Sequence, residues 1–196
     1  MRTPRLAVRI GAGALALSGA AAAVYGLTAT PASSLSETGS TNLTVLAASR
    51  DTGVTRLATI SRARVLANAQ TWHPHTAMRV PYSQSRTHNG YRTDCSGYAS
   101  MALELGRPGL NTVGLAAPSV STRISMSQLQ PGDLVIDATG DSNTRHVVIF
   151  EKWANTAHTL YWEYEQRGGY GTDHRTRDYG LSAGSQYHAY RPKKIA

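Results

Sequence analysis

The order of the hydrophobic patterns along the chain is its strongest constraint on the fold. Apolar residues at helical spacing predict one helix over 60–72 and a second over 95–105. Apolar and alternating runs typical of strands come later, at 134–136, 146–150, 159–166 and 186–191. Helices followed by strands indicate an α+β fold with an antiparallel sheet.

The second helix begins at the only cysteine of the chain. Asp94 or Thr93 can cap its N-terminus, which puts Cys95 in the first turn. A helix N-terminus favours a thiolate, and its free N–H groups can donate to an oxyanion. Cys95 is therefore placed as a nucleophile would be, although a lone cysteine is also commonly a small buried hydrophobe. A single cysteine excludes an intrachain disulfide and a multi-cysteine zinc site.

A thiol nucleophile needs a base, and seven histidines are available. His146 opens a strand directly after a loop, so we expect it at a sheet edge facing the start of the helix. His73 and His75 flank Pro74 without a third ligand at a useful spacing, so neither a metal nor another cofactor is expected. His158 and His174 are predicted to lie in surface loops.

A third group should orient the imidazole of the base. In the strand over 159–166, alternation places Tyr161, Glu163 and Glu165 on one face. Both glutamates are candidates for this role. The alternative is that both glutamates simply lie on the solvent-exposed face of the sheet, which would give the same alternation.

The N-terminus has the pattern of an export signal. Three arginines, an uncharged Ala-, Gly- and Leu-rich run and small residues predict a signal peptide over 1–32; an uncleaved membrane anchor is the alternative. Residues 33–58 are predicted to be a flexible tether and 59–196 the catalytic domain. The mature chain should not span a membrane.

Charge indicates the class of partner. Removal of Arg2, Arg5 and Arg9 lowers the formal charge from +8 to +5, so the exported chain stays basic. A basic secreted protein suits anionic cell-surface polymers. Nucleic acid is not expected, because the basic residues are scattered and no recognition motif is present. We expect a monomer.

Four ordered segments resemble the NlpC/P60 cysteine peptidases of bacterial cell walls. They cover about residues 60–166, and their order makes the signal specific. They are a helix followed by Val80-Pro81-Tyr82, Asp94-Cys95-Ser96-Gly97 opening a helix, Leu129-Gln130-Pro131-Gly132-Asp133-Leu134-Val135, and His146-Val147-Val148-Ile149-Phe150.

The resemblance implies a papain-like fold in which the nucleophile helix packs on the antiparallel sheet. It also implies that Cys95 is the nucleophile and His146 the base, and that Tyr82, Asp94 and Ser96 line the cleft. Ser83-Gln84-Ser85 stands where the family usually has Trp-Gly-Gly. About a dozen residues after the base, where the family usually has its third catalytic His, Asn or Gln, no such residue lies on a clear strand. A glutamate in the third position is more like the related CHAP amidases and peptidases, and Glu165 is favoured over Glu163.

These features predict a secreted, wall-associated cysteine hydrolase that cleaves amide bonds in peptidoglycan peptides. An amidase or transferase of the same fold would use the same residues. A non-catalytic wall-binding module is the alternative from another class, since the basic charge and late tyrosines suit polymer contact.

Overall fold

The computed structural model describes residues 58–196. The predicted signal peptide (1–32) and all but the last residue of the predicted tether (33–58) lie outside the described residues. Within 58–196, helices precede the large sheet, as predicted. The helices are α1 (Arg62–Gln70), α2 (Cys95–Ala102) and α3 (Thr112–Ala116), with one 3-10 turn at Met126–Gln128.

Two groups of strands are present in this part of the chain. A short hairpin pairs β1 (Thr87–His88) with β2 (Tyr91–Arg92). The other strands form one antiparallel sheet in the order β3-β8-β4-β5-β6-β7. They are β3 (Ser121–Ile124), β4 (Leu134–Asp137), β5 (His146–Trp153), β6 (Tyr161–Arg167), β7 (Gly171–Arg177) and β8 (His188–Pro192).

The two faces of the sheet carry separate cores. Val147, Ile149 and Tyr164 pack against buried side chains of α1 and α2. Val148 and Phe150, which alternate with them on β5, pack in the second core. The tyrosine Tyr98 of α2 donates a hydrogen bond to the Ala69 carbonyl oxygen of α1 at 2.8 Å. The predicted α+β fold with the cysteine helix packed on an antiparallel sheet is confirmed.

Strand β7 was missed by sequence reasoning, which placed Gly168–Asp173 and His174 in loops. Its sequence, Gly-Thr-Asp-His-Arg-Thr-Arg, has no apolar alternation. The strand pairs with β6 along its whole length, from Tyr161 opposite Arg177 to Arg167 opposite Gly171. The prediction for His174 was therefore wrong: its side chain is partly buried on a strand. Backbone pairing and polar contacts, rather than apolar burial, hold this strand.

The start of α2 is fixed by a close backbone approach. The Asp94 side chain accepts a hydrogen bond from the Gly97 N–H at 2.6 Å and caps the helix. Gly97 lies directly against the β2 backbone, because a Cβ atom there would sit 2.1 Å from the Arg92 carbonyl oxygen. A side chain at position 97 would force apart the two segments that position Cys95.

We therefore predict that Gly97→Ala destabilises the fold by about 3 kcal/mol, the cost of overpacking against rigid backbone. Gly106→Ala is the matched control, since a Cβ atom at Gly106 would meet nothing within 4 Å. Urea unfolding of both variants checks this. Equal unfolding free energies for the two variants would contradict the close approach.

Candidate active site

Cys95 is the first residue of α2 and is buried, with 6% of its surface exposed. It lies in a cavity of about 270 Å³, the Cys95 cleft. All three predicted cleft residues line it. They are Tyr82, Asp94 and Ser96.

His146 is the first residue of β5 and faces a glutamate on the neighbouring strand. Its Nε2 atom lies 2.9 Å from Oε2 of Glu165. Glu165 is paired with Val148 across the two strands, so their side chains lie on the same face of the sheet. His146 precedes Val148 by two residues and therefore lies on that face as well. Because Nε2 is occupied by Glu165, Nδ1 is the ring nitrogen left for the thiol.

The pKa of His146 reflects three opposing influences. Burial alone would lower it, but a hydrogen bond with the Cys95 side chain and another with Glu165 outweigh burial and raise the pKa to about 9. At neutral pH the imidazole is therefore a cation between a sulfur atom and a carboxylate.

Glu165 is fully buried and is hydrogen-bonded to two cationic side chains, while a third, Arg167, lies 3.8 Å from its Oε1 atom. Arg177 of β7 donates to its Oε1 atom at 2.5 Å, while His146 occupies Oε2. Burial would raise the pKa of Glu165, but the hydrogen bond and charge of His146, followed by those of Arg177, lower it. The carboxylate therefore stays ionised and holds the imidazolium in one orientation.

Glu163 has the opposite environment, although it lies on the same face of β6. Neither of its carboxyl oxygens has a hydrogen-bond partner within residues 58–196. Burial and then repulsion from Glu165 raise its pKa well above the usual range. The structure places Glu165, and not Glu163, on His146.

Two of the predicted cleft residues have structural contacts of their own. Asp94 caps α2 through Oδ1 and accepts from Arg92 through Oδ2 at 2.8 Å. The Ser96 hydroxyl donates to Asp94 at 3.0 Å. Tyr82 reaches the cleft from the loop after α1, and burial raises its pKa. Asp94 and Ser96 thus build the cleft wall and the helix start together.

Three residues that sequence reasoning missed complete the site. Arg177 neutralises Glu165, and Tyr179 packs edge-on to His146 with ring centroids 6.1 Å apart. Arg92 ties β2 to the carbonyl oxygens of Gly109 and Leu110 as well as to Asp94. The alternation of Asp173, Arg175 and Arg177 was the available signal for Arg177, because it places three charges on one face of a strand.

Two comparisons gave no match: no family model and no curated protein matches the chain. Among solved structures, the chain is similar to the NlpC/p60 domain of the peptidoglycan hydrolase SagA, with 21% identity and a TM-score of 0.44 over 67% of this chain and 98% of that one. It is also similar to a lipoprotein-like NLP/P60 protein from Staphylococcus aureus, with 19% identity and a TM-score of 0.45 over 72% of this chain. The match spans 45% of the staphylococcal protein's length.

The part of the chain that the structure describes contains no helix with the length and hydrophobicity of a membrane span. In the same residues, no three side chains of His, Cys, Asp or Glu are grouped as metal ligands.

The pKa shifts of His146 and Glu165 predict how the free energy of unfolding depends on pH. The raised pKa of His146 adds stability that is complete below its ordinary value of 6.5 and is lost as pH rises through about 9. The lowered pKa of Glu165 adds stability that is present above its ordinary 4.5 and is lost as pH falls. The contribution of the pair is therefore largest between pH 4.5 and 6.5.

We expect the unfolding free energy to fall by about 2–3 kcal/mol more in the wild type than in His146→Gln between pH 6.5 and pH 9.5. Urea unfolding over this range measures the difference. His158→Gln, at an exposed histidine, is the control and should follow the wild type. Parallel curves for the wild type and His146→Gln would contradict the raised pKa.

Proposed function

We propose that this chain is a cysteine hydrolase of the NlpC/P60 type that cleaves amide bonds in peptides of the bacterial cell wall. One observation supports this above all others. A buried cysteine at a helix N-terminus interacts with a cationic histidine, which a buried, ionised glutamate holds in place. Nucleophile, base and orienting group are thus brought together in the order that covalent catalysis requires.

In the proposed reaction, the thiol proton of Cys95 is held on His146, and the thiolate sulfur attacks the carbonyl carbon of the amide. The carbonyl electrons move onto oxygen, and the first-turn backbone N–H groups of α2 donate to this oxyanion. His146 then gives a proton to the leaving nitrogen as the C–N bond breaks. A water molecule loses a proton to His146, attacks the thioester and releases the acid, which restores Cys95. Glu165 accepts from Nε2 throughout and stays ionised.

The substrate class comes from the motif resemblance and from charge. The four ordered segments are those of a family whose members commonly cut peptidoglycan stem peptides. The formal charge of +5 that remains without Arg2, Arg5 and Arg9 suits an anionic wall polymer. Export through the N-terminal signal and a location at the cell wall are parts of the same proposal.

Digestion of purified peptidoglycan, with products identified by mass spectrometry, tests the activity. Cys95→Ala should abolish product formation, since no other side chain supplies the nucleophile. Product masses would identify the bond and separate an endopeptidase from an amidase. Peptide products from Cys95→Ala at the wild-type rate would sink the assignment. A folded wild type that yields none would favour the wall-binding module.

The two buried glutamates of β6 provide a matched pair of variants. Glu165→Gln should lower kcat about 100-fold, because the imidazolium loses its anionic partner. Glu163→Gln should stay within about twofold of the wild type, because neither Glu163 oxygen is bonded to the site. Single-turnover rates on the same substrate measure both. A larger loss for Glu163→Gln than for Glu165→Gln would contradict the assigned orienting residue.

A further inference from the structure

A second cavity in the described residues lies away from Cys95. It has a volume of about 990 Å³ and runs along β7, the edge strand, between the segment 73–76 and the sheet. We call it the edge groove. None of its lining residues among 58–196 also lines the Cys95 cleft. Glu151, which lines it, lies five residues along β5 from His146, or about 17 Å.

One wall of the edge groove is a stack of flat rings. The His174 imidazole is sandwiched between Trp162 at 5.0 Å and Tyr164 at 4.4 Å, measured between ring centroids. Trp162 and His174 remain partly exposed in the groove. Cross-strand pairing of Tyr164 with His174 fixes the stack on two neighbouring strands. The wall is therefore rigid and apolar, with polar edges.

A further ring in the groove is Tyr170, which is held by two arginines. The guanidinium carbons of Arg79 and Arg167 lie 4.0 and 3.9 Å from its ring centroid. Arg167 also donates to Asp173 at 2.8 Å. These contacts fix the ring before any ligand arrives, so little ordering is required on binding.

The polar groups of the groove are already paired with one another. His174 Nε2 lies 3.0 Å from Glu151, and His75 Nδ1 lies 2.7 Å from the buried Asp173. Two arginines, Arg167 and Arg175, balance these two carboxylates. Arg79 at Tyr170 adds one further cation to these two pairs of opposite charges. An uncharged ligand would leave the existing pairs intact.

We propose that the edge groove binds an uncharged saccharide. A pyranose ring has apolar C–H faces that stack on aromatic rings, and its rim of hydroxyl groups can bond to the free lone pairs and N–H groups of the paired His, Glu and Asp side chains. The volume is at the upper end of the range for ligand sites, about 300–1,000 Å³, which is room for more than one sugar ring. This binding does not depend on the chemistry at Cys95.

Isothermal titration calorimetry of the full chain with N-acetylchitotetraose, an uncharged oligosaccharide, tests the proposal. We expect saturable binding by the wild type with Kd at or below about 1 mM. Trp162→Ala should weaken binding at least about tenfold, because the stacking wall is lost. Trp153→Ala is the matched control and should bind like the wild type. It removes a tryptophan that stacks on His158 at 4.1 Å outside the groove.

Two more variants keep the test decisive. His75→Ala removes an exposed side chain and leaves Asp173 its hydrogen bond from Arg167, and it should weaken binding several-fold. Cys95→Ala should bind normally, which separates this proposal from the hydrolase. No binding by the wild type up to about 10 mM, or wild-type affinity in both Trp162→Ala and His75→Ala, would overturn it. Loss of binding in Cys95→Ala would place the sugar in the Cys95 cleft and would also overturn it.

Discussion

The carboxylate of Glu165 is cut off from water, and the arrangement of three strands depends on how it is neutralised. A buried charge without partners costs several kcal/mol, so its neighbours must supply positive charge. His146 supplies it from β5 and Arg177 from β7. The register of β5, β6 and β7 is thereby fixed around one group. The same need explains why a strand as polar as β7 belongs to the sheet.

The buried Glu165 carboxylate also affects the surroundings of Cys95, because it orients His146. One ring nitrogen of the imidazole is hydrogen-bonded to Glu165 and the other is left for Cys95. The imidazole is positively charged at neutral pH. Cys95 is positioned by α2, because the first turn of this helix is held by the Asp94 cap and by the close contact of Gly97 with β2. Sheet and helix thus position the two side chains from independent supports.

Local patterns in the sequence were sufficient for part of this arrangement. The cap before Cys95, the strand that begins at His146 and the shared face of Glu163 and Glu165 all follow from short-range periodicity. The choice between the two glutamates rests on the register of β5 against β6, which pairs Val148 with Glu165 and Phe150 with Glu163 and so sets Glu165 beside His146. The edge groove combines the segment 73–76 with three strands. Its lining residues are far apart in the sequence and come together only in the folded chain, so no local sequence pattern indicates the groove.

The most direct test of the central claim is the rate at which iodoacetamide alkylates the protein, measured from pH 5 to pH 10. The chain has one cysteine, so every labelling event reports on Cys95. A thiolate–imidazolium pair predicts fast labelling at pH 6, where an ordinary thiol with a pKa near ~8.5 reacts slowly, and loss of that rate in His146→Gln. Labelling that follows an ordinary thiol and is unchanged in His146→Gln would contradict the account.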